Sequence, residues 1–210
     1  MTWGDTARDT VRERGDLFYS EVLDRLTTQL PSVAYPVIAA ASAERLLSRH
    51  LQLPASSQRP FTVTCRHPLD CVWGVLAGQT DAIALRGEVE RWLQSFYDSP
   101  LNHSDGQDGP DDADHDPAAA FIYAAESLIR NSAESAGYAM SRVVDDAFAR
   151  AADERETSKH ATGRVDDFIA DCCHPIVQRE LRWLQSIFAH VQTHPLSHAT
   201  ITELRRQANA

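Results

Sequence analysis

Acidic side chains within apolar helical segments are the residues of this chain best suited to chemistry. Glu126 lies in a largely apolar run, and Asp145 and Asp166 each begin an aspartate pair beside an apolar stripe. Carboxylates that face one another across helices bind divalent metal ions in helical-bundle enzymes. One hypothesis is therefore a metal-dependent hydrolase that uses Glu126, Asp145 and Asp166, with His174 nearby.

The same acids also have a purely structural explanation. Metal-binding bundles usually carry paired Glu-x-x-Glu or Glu-x-x-His motifs, whereas this chain has neither and offers Glu21-Val-Leu-Asp24 instead. Glu126 can pair with Arg130, four residues later on the same helical face. We therefore favour a protein that is not an enzyme, and we predict no metal ion and no cofactor.

The aspartates before the middle helix resemble the start of a calcium loop. Asp112, Asp114 and Asp116 occupy its first, third and fifth positions. Pro117 then stands where a glycine must turn the chain, and Tyr123 stands where a bidentate glutamate is needed. The spacing does not favour a calcium site.

Cysteine and histidine side chains near the C-terminus offer softer metal ligands. Cys172, Cys173 and His174 are consecutive, and three further histidines follow them. Two adjacent cysteines cannot easily point at one metal ion, and the chain has no Cys-x-x-Cys pair. Buried thiols and surface histidines are the simpler interpretation. The chain also lacks a nucleophile elbow and a phosphate-binding glycine loop.

The negative charge of the chain is concentrated in one segment. The formal net charge is −10, and residues 98–117 contain no Lys or Arg. Seven aspartates lie in this segment: Asp98, Asp105, Asp108, Asp111, Asp112, Asp114 and Asp116. Low hydrophobicity and charge repulsion predict a disordered acidic loop. The charge argues against a nucleic-acid partner and favours a basic protein partner.

Composition predicts a cytoplasmic bacterial protein. The 210 residues contain no run of about 18 apolar residues that could cross a membrane, and no charged-then-apolar leader begins the chain. The four cysteines are expected to be thiols. Lys159 is the only lysine, and this arginine and alanine usage is typical of a GC-rich bacterial genome.

Apolar periodicity predicts an all-α, single-domain bundle of eight or nine helices over residues 1–210. The predicted helices cover residues 16–30, 35–51, 67–77, 81–97, 117–130, 132–152, 165–173 and 175–194, and a short terminal helix is expected to begin at Thr200. Residues 53–66 are expected to form a loop, because they contain two prolines and a Ser-Ser pair. Asp116, Asn131 and Thr200 are expected to cap the helices that follow them.

Two short segments resemble the YjaG-like bacterial proteins, a family of unknown function. They are His174-Pro-Ile-Val-Gln-Arg-Glu-Leu181 and Leu69-Asp-Cys-Val-Trp73-Gly. The resemblance implies a small helical cytoplasmic protein with no established reaction. It implies that six residues form either a functional site or a set of contacts that stabilises the fold: Asp70, Trp73, His174, Pro175, Gln178 and Glu180. His174-Pro175 also suits a helix start, which is a structural role.

The function favoured by the sequence is an interaction, immunity or regulatory protein that binds a basic partner through the acidic segment. The hydrolase described above is one alternative. A second alternative is an architectural homodimer, formed through the apolar stripe of the helix that begins at Pro175.

Overall fold

The structure, a computed structural model, describes residues 29–98, 116–157 and 171–209. These residues form α-helices, short 3₁₀ turns and connecting loops, and no strand is present among them. The helices are α1 (Tyr35–Leu51), α2 (Pro60–Thr64), α3 (Arg66–Leu76), α4 (Ala82–Tyr97), α5 (Asp116–Arg130), α6 (Ala133–Thr157), α7 (Pro175–Thr193) and α8 (His198–Ala208). The all-α prediction is confirmed.

The set of helices differs slightly from the predicted set. Seven of the predicted helices are present in the described residues, and α2 is an additional helix of five residues. The predicted helices at 16–30 and 165–173 lie largely outside the described residues.

Helix α1 is the central helix of the bundle. It packs against α3, α5, α6 and α8, so side chains on nearly all of its faces are buried. Four of these are fully buried alanines, Ala39, Ala40, Ala41 and Ala43. Small side chains let neighbouring backbones approach closely, which explains how α5 and α6 both pack on one helix.

The turn between α5 and α6 corrects one predicted cap. Asn131 adopts a left-handed conformation with φ 51°, which ends α5. The cap of α6 is instead Ser132, whose Oγ accepts a hydrogen bond from the Ser135 backbone N–H at 3.0 Å. Similarly, Ser197 and not Thr200 caps α8, accepting from the Thr200 N–H at 3.3 Å.

The predicted loop at residues 53–66 is wrong in its second half. Pro60 begins α2, where its missing N–H is not needed, and α3 begins at Arg66. The ring of Phe61 packs against Trp92 and Phe96, with centroids 5.9 and 5.8 Å away. Tertiary packing of this aromatic ring stabilises a turn that local sequence preferences did not predict.

The aromatic residues of α4 pack in or against the core. The ring of Trp92 meets Phe121 of α5 edge-on at 4.7 Å, and Phe96 is buried beside it. This arrangement holds α4 against α5.

The apolar stripe of α7 is buried within the same chain. Its residues, which pack into the common core, are Val177, Leu181, Leu184, Ile187, Phe188 and Val191. The homodimer alternative relied on this stripe, which is already covered by the rest of the molecule.

The acidic segment lies largely outside the described residues, which omit 99–115. Its last two residues, Asp116 and Pro117, already belong to α5. A calcium loop would need a sharp turn at Asp116 and Pro117, but both residues are helical. No helix among the described residues is both long and apolar enough to cross a membrane.

Candidate functional site

Two fully buried glutamates lie on or beside α1, and each is surrounded by arginines. Glu44 belongs to α1 itself, and Glu180 is on α7. Their side chains are 1% and 0% exposed. A buried carboxylate is costly unless it is paired and hydrogen-bonded, so these two groups mark the polar centres of the molecule.

Four arginines from three helices converge on Glu180. Arg45 donates from Nε to Oε2 at 2.6 Å, and Arg179 donates from Nε to Oε1 at 3.1 Å. Arg49 also donates to Oε1, and Arg150 forms a longer ion pair with the same oxygen at 3.9 Å. One carboxylate thus ties α1, α6 and α7 together.

A second acid, Asp146 on α6, partly balances this cluster. Its Oδ2 lies 3.2 Å from Nη1 of Arg49 and 2.7 Å from Nη2 of Arg150. The described ion pairs therefore combine four arginines with two carboxylates, which leaves a formal excess of two positive charges.

The arginines keep Glu180 ionised. Burial alone would raise its pKa, but hydrogen bonds from Arg45 and Arg49, together with their charges, lower it to about 2. For Arg45 the balance is opposite, because burial lowers its pKa and Glu180 only partly compensates. The Arg45 guanidinium also lies over the Trp183 ring, 4.7 Å from its centroid.

A cavity of about 240 Å³ opens beside this cluster. Its lining residues come from α1, α7 and the end of α8: Arg45, Ser48, Arg49, Gln52, Arg179, Ala208 and Asn209. Three arginines and three neutral hydrogen-bonding side chains therefore surround one space. We call this cavity the arginine pocket.

Glu44 has a more balanced environment. Arg66 binds it through both guanidinium ends, at 2.6 and 2.9 Å, and the Trp73 Nε1–H donates to it at 2.7 Å. Arg205 of α8 lies 3.5 Å away, and Asp70 forms ion pairs with both arginines. Two arginines face two carboxylates, and the network joins α1, α3 and α8.

The structure distributes the six residues singled out by the family resemblance over three places. Asp70 and Trp73 belong to the Glu44 network. Glu180 is the centre of the ion-pair cluster beside the arginine pocket. The other three, His174, Pro175 and Gln178, lie at the start of α7.

The start of α7 is built as a helix cap. His174 Nδ1 accepts a hydrogen bond from the Ile176 N–H at 3.3 Å, and Pro175 is the first helical residue. His174 Nε2 also lies 3.5 Å from a Glu154 carboxylate oxygen. Gln178 donates to the Cys172 carbonyl at 2.6 Å. These contacts fit the structural role suggested for His174-Pro175.

The carboxylates considered for catalysis do not meet in the described structure. Glu126 accepts hydrogen bonds from Tyr97 and Ser135 and, as predicted, forms an ion pair with Arg130 at 3.8 Å. Asp145 is partly buried, and burial raises its pKa. Asp166 lies outside the described residues. Neither Glu126, Asp145 nor His174 belongs to any described group of three potential metal ligands.

Arg45, Arg49 and Arg179 were missed by the sequence analysis. A signal was present, because Arg45 and Arg49 are four residues apart on a helix whose side chains are mostly apolar. The partner of these arginines, Glu180, is 135 residues from Arg45. Nothing in the local sequence connects the two.

Comparisons with known proteins give no relative from which to assign this site. No protein-family model, no curated protein and no solved structure matches the chain significantly. The resemblance to YjaG-like proteins stays a prediction, and the function must be argued from the geometry.

Proposed function

We propose that this protein is a non-enzymatic binding protein that holds a small dianionic group, such as a phosphate monoester, in the arginine pocket. The observation that carries the proposal is the convergence of Arg45, Arg49 and Arg179 on one cavity beside an ion-pair cluster with two excess positive charges.

The hydrogen-bonding capacity of the arginines supports an anionic ligand. Each guanidinium carries five N–H donors, whereas a carboxylate such as Glu180 offers about four acceptor positions. Glu180 therefore cannot occupy all the donors of the four arginines around it. Arg179 is the most accessible of these, with 57% of its side chain exposed. Planar guanidinium groups also bind phosphate oxygens in pairs.

The remaining lining supports binding more than catalysis. Ser48, Gln52 and Asn209 are neutral hydrogen-bonding residues. The lining residues include no carboxylate, imidazole or thiol that could act as a general acid or base. The cavity volume, about 240 Å³, suits an inorganic oxyanion or a small ester.

This proposal keeps the interaction or regulatory role expected from the sequence but changes the chemistry of the partner. The pocket favours an anionic group, whereas the acidic segment favours a basic protein. The basic partner remains a separate proposal, which depends on residues that the structure does not describe. We also propose action in a bacterial cytoplasm, which is consistent with the thiols of Cys65, Cys71 and Cys172 and with the near absence of lysine.

The test is a titration with inorganic phosphate and with glycerol phosphate, measured by calorimetry and by urea unfolding. A specific ligand stabilises the folded state progressively with concentration, by about 2.7 kcal/mol at 100 times its Kd. Chloride at the same ionic strength should have little effect. Arg179→Gln should weaken binding about tenfold, because it removes a hydrogen bond to a charged group.

The matched control is Arg182→Gln, which changes an exposed arginine on the same helix outside the pocket. It removes the same charge from α7, so a nonspecific electrostatic effect would appear in both variants. Equal phosphate binding by Arg179→Gln and Arg182→Gln would overturn the proposal. An equal response of the wild-type protein to phosphate and chloride would overturn it as well.

A further inference from the structure

We propose that His67, Cys71 and Glu88 form a zinc-binding site between α3 and α4. This inference is independent of the arginine pocket. His67 and Cys71 are four residues apart on α3, and Glu88 faces them from α4. The site combines a nitrogen, a sulfur and an oxygen donor, which are the three ligand types that zinc uses in proteins.

The distances among the three donor atoms match those of a tetrahedral zinc site. His67 Nε2 lies 3.2 Å from Glu88 Oε2, Cys71 Sγ lies 3.5 Å from the same oxygen, and Sγ lies 3.9 Å from Nε2. Zinc–ligand bonds of about 2.0–2.3 Å at tetrahedral angles require ligand–ligand separations of about 3.3–3.8 Å. Adjustments of a few tenths of an ångström would complete the geometry.

The site is open on one side. Cys71 is buried, whereas the His67 side chain is 80% exposed and that of Glu88 is 40% exposed. A metal ion can therefore enter from solvent, and a water molecule can supply the fourth ligand. Three protein ligands and one open position distinguish this arrangement from a closed, four-ligand structural site.

The surroundings of Cys71 also favour a cation. Its thiol donates to Glu88 Oε2, so a proton occupies the space between sulfur and oxygen. Burial, then the hydrogen bond to Glu88 and the negative charges of Glu88, Asp70 and Asp81, raise the pKa of Cys71 to about 11. A divalent cation in the place of that proton would neutralise part of this negative charge.

Close packing of α3 on α4 positions the three ligands. A Cβ atom added at Gly74 would lie 2.5 Å from the Leu85 Cδ1 atom, so glycine is what permits this approach. Gly74 is three residues after Cys71, and Leu85 is three residues before Glu88. The contact therefore lies one helical turn from the proposed site on both helices.

The experiment is a titration of the reduced protein with Co²⁺ and Zn²⁺. Cobalt bound to a thiolate gives a charge-transfer absorption band, so it reports directly on a cysteine ligand. The wild-type protein should bind one Co²⁺ with this band, and one equivalent of Zn²⁺ should displace it. Cys71→Ser should abolish the band. His67→Gln and Glu88→Gln should each weaken binding at least about 100-fold, the upper range found for removing outer-shell partners.

Two control variants test the location of the ion. Glu90→Gln removes an exposed carboxylate of the same helix, and Cys173→Ser removes a thiol elsewhere. Both should bind cobalt as the wild type does. Because His67 is largely exposed, His67→Gln should fold normally even if Cys71→Ser does not. A missing band in the wild type would overturn the proposal. So would a Co²⁺ affinity of His67→Gln equal to that of the wild type, or a band that disappears in Cys173→Ser.

Discussion

The two buried glutamates beside α1 have different surroundings. Glu44 and Glu180 are both inaccessible to solvent, and both are held by arginines from several helices. Around Glu44, two arginines meet two carboxylates, and the indole of Trp73 provides a further hydrogen bond. Around Glu180, four arginines meet two carboxylates, and three of those arginines also line a cavity.

This difference separates a structural ion network from a candidate binding site. The charge-balanced Glu44 network has no need of a ligand, and its contacts join α1, α3 and α8. The Glu180 cluster has the same kind of contacts, but its ion pairs among the described residues leave an excess of positive charge beside open space. Burial and ion pairing are shared by the two clusters, so they do not identify a site. The charge excess and the cavity do.

Removing the charge of Glu180 is expected to cause the largest loss of folding stability. Glu180→Gln leaves the nearly buried Arg45 without its ionic partner, and breaking a buried pair in this way costs about 3–5 kcal/mol. Glu44→Gln should cost less, because Arg66 and Arg205 are more exposed and can still pair with Asp70. Urea unfolding of the two variants measures the difference. A larger loss in Glu44→Gln would contradict the comparison.

Acid should destabilise the protein through Glu180. Its folded-state pKa of about 2 lies below the ordinary glutamate value of 4.5, so its ionisation stabilises the folded state above pH 4.5. This stabilisation is lost as pH falls from 4.5 towards 2, and a shift of this size corresponds to about 3 kcal/mol.

The measurement is unfolding free energy against pH, with Glu180→Gln as the control. The variant has no carboxyl group at this position, so its stability should fall less steeply between pH 4.5 and 2. Parallel curves for the two proteins would show that the arginines do not lower the pKa of Glu180.

Losing the indole hydrogen bond in the Glu44 network is expected to cause a smaller loss of folding stability. Trp73→Phe removes the Nε1–H that donates to Glu44, and a hydrogen bond to a charged group contributes about 1.5–3 kcal/mol. Trp183→Phe is the matched control, because no described residue accepts from the Trp183 Nε1–H. Calorimetric unfolding should show the larger loss in Trp73→Phe, and the reverse order would contradict the assignment.

Breaking an exposed ion pair is expected to leave folding stability unchanged, even where the geometry of the pair is good. Arg206 binds both carboxylate oxygens of Glu203, at 2.8 and 2.7 Å, but both side chains are accessible to solvent. Water and salt screen such a pair, so Arg206→Gln should leave the unfolding midpoint unchanged. A clear loss of stability would show that burial is not what distinguishes the Glu180 cluster.

Much of the fold could be predicted because helices are determined by local patterns. The apolar spacing of Val89, Trp92 and Phe96 predicted α4 to within one residue, and the alternation from Val177 to Val191 predicted α7. The prediction is wrong where a tertiary contact or a neighbouring residue determines the local structure. Phe61 stabilises α2 by packing on α4, and Ser132, next to the predicted Asn131, provides the cap of α6.

The candidate sites could be predicted only in part. Glu180 was singled out, but as one member of a sequence signature and without its arginines. Glu88 was not considered, because it is 17 residues from Cys71 and on another helix. Single residues can be read from a sequence, whereas a site is a set of distances between residues that are far apart in it.

The sequence by itself determined that this chain is helical and where most of its helices lie, because periodicity acts within a few turns. It also determined the concentration of acid in residues 98–117. Only the tertiary structure decided that Arg45, Arg49 and Arg179 share a cavity beside Glu180. Such convergence depends on how α1 and α7 pack, and that packing is the result of burying the whole core.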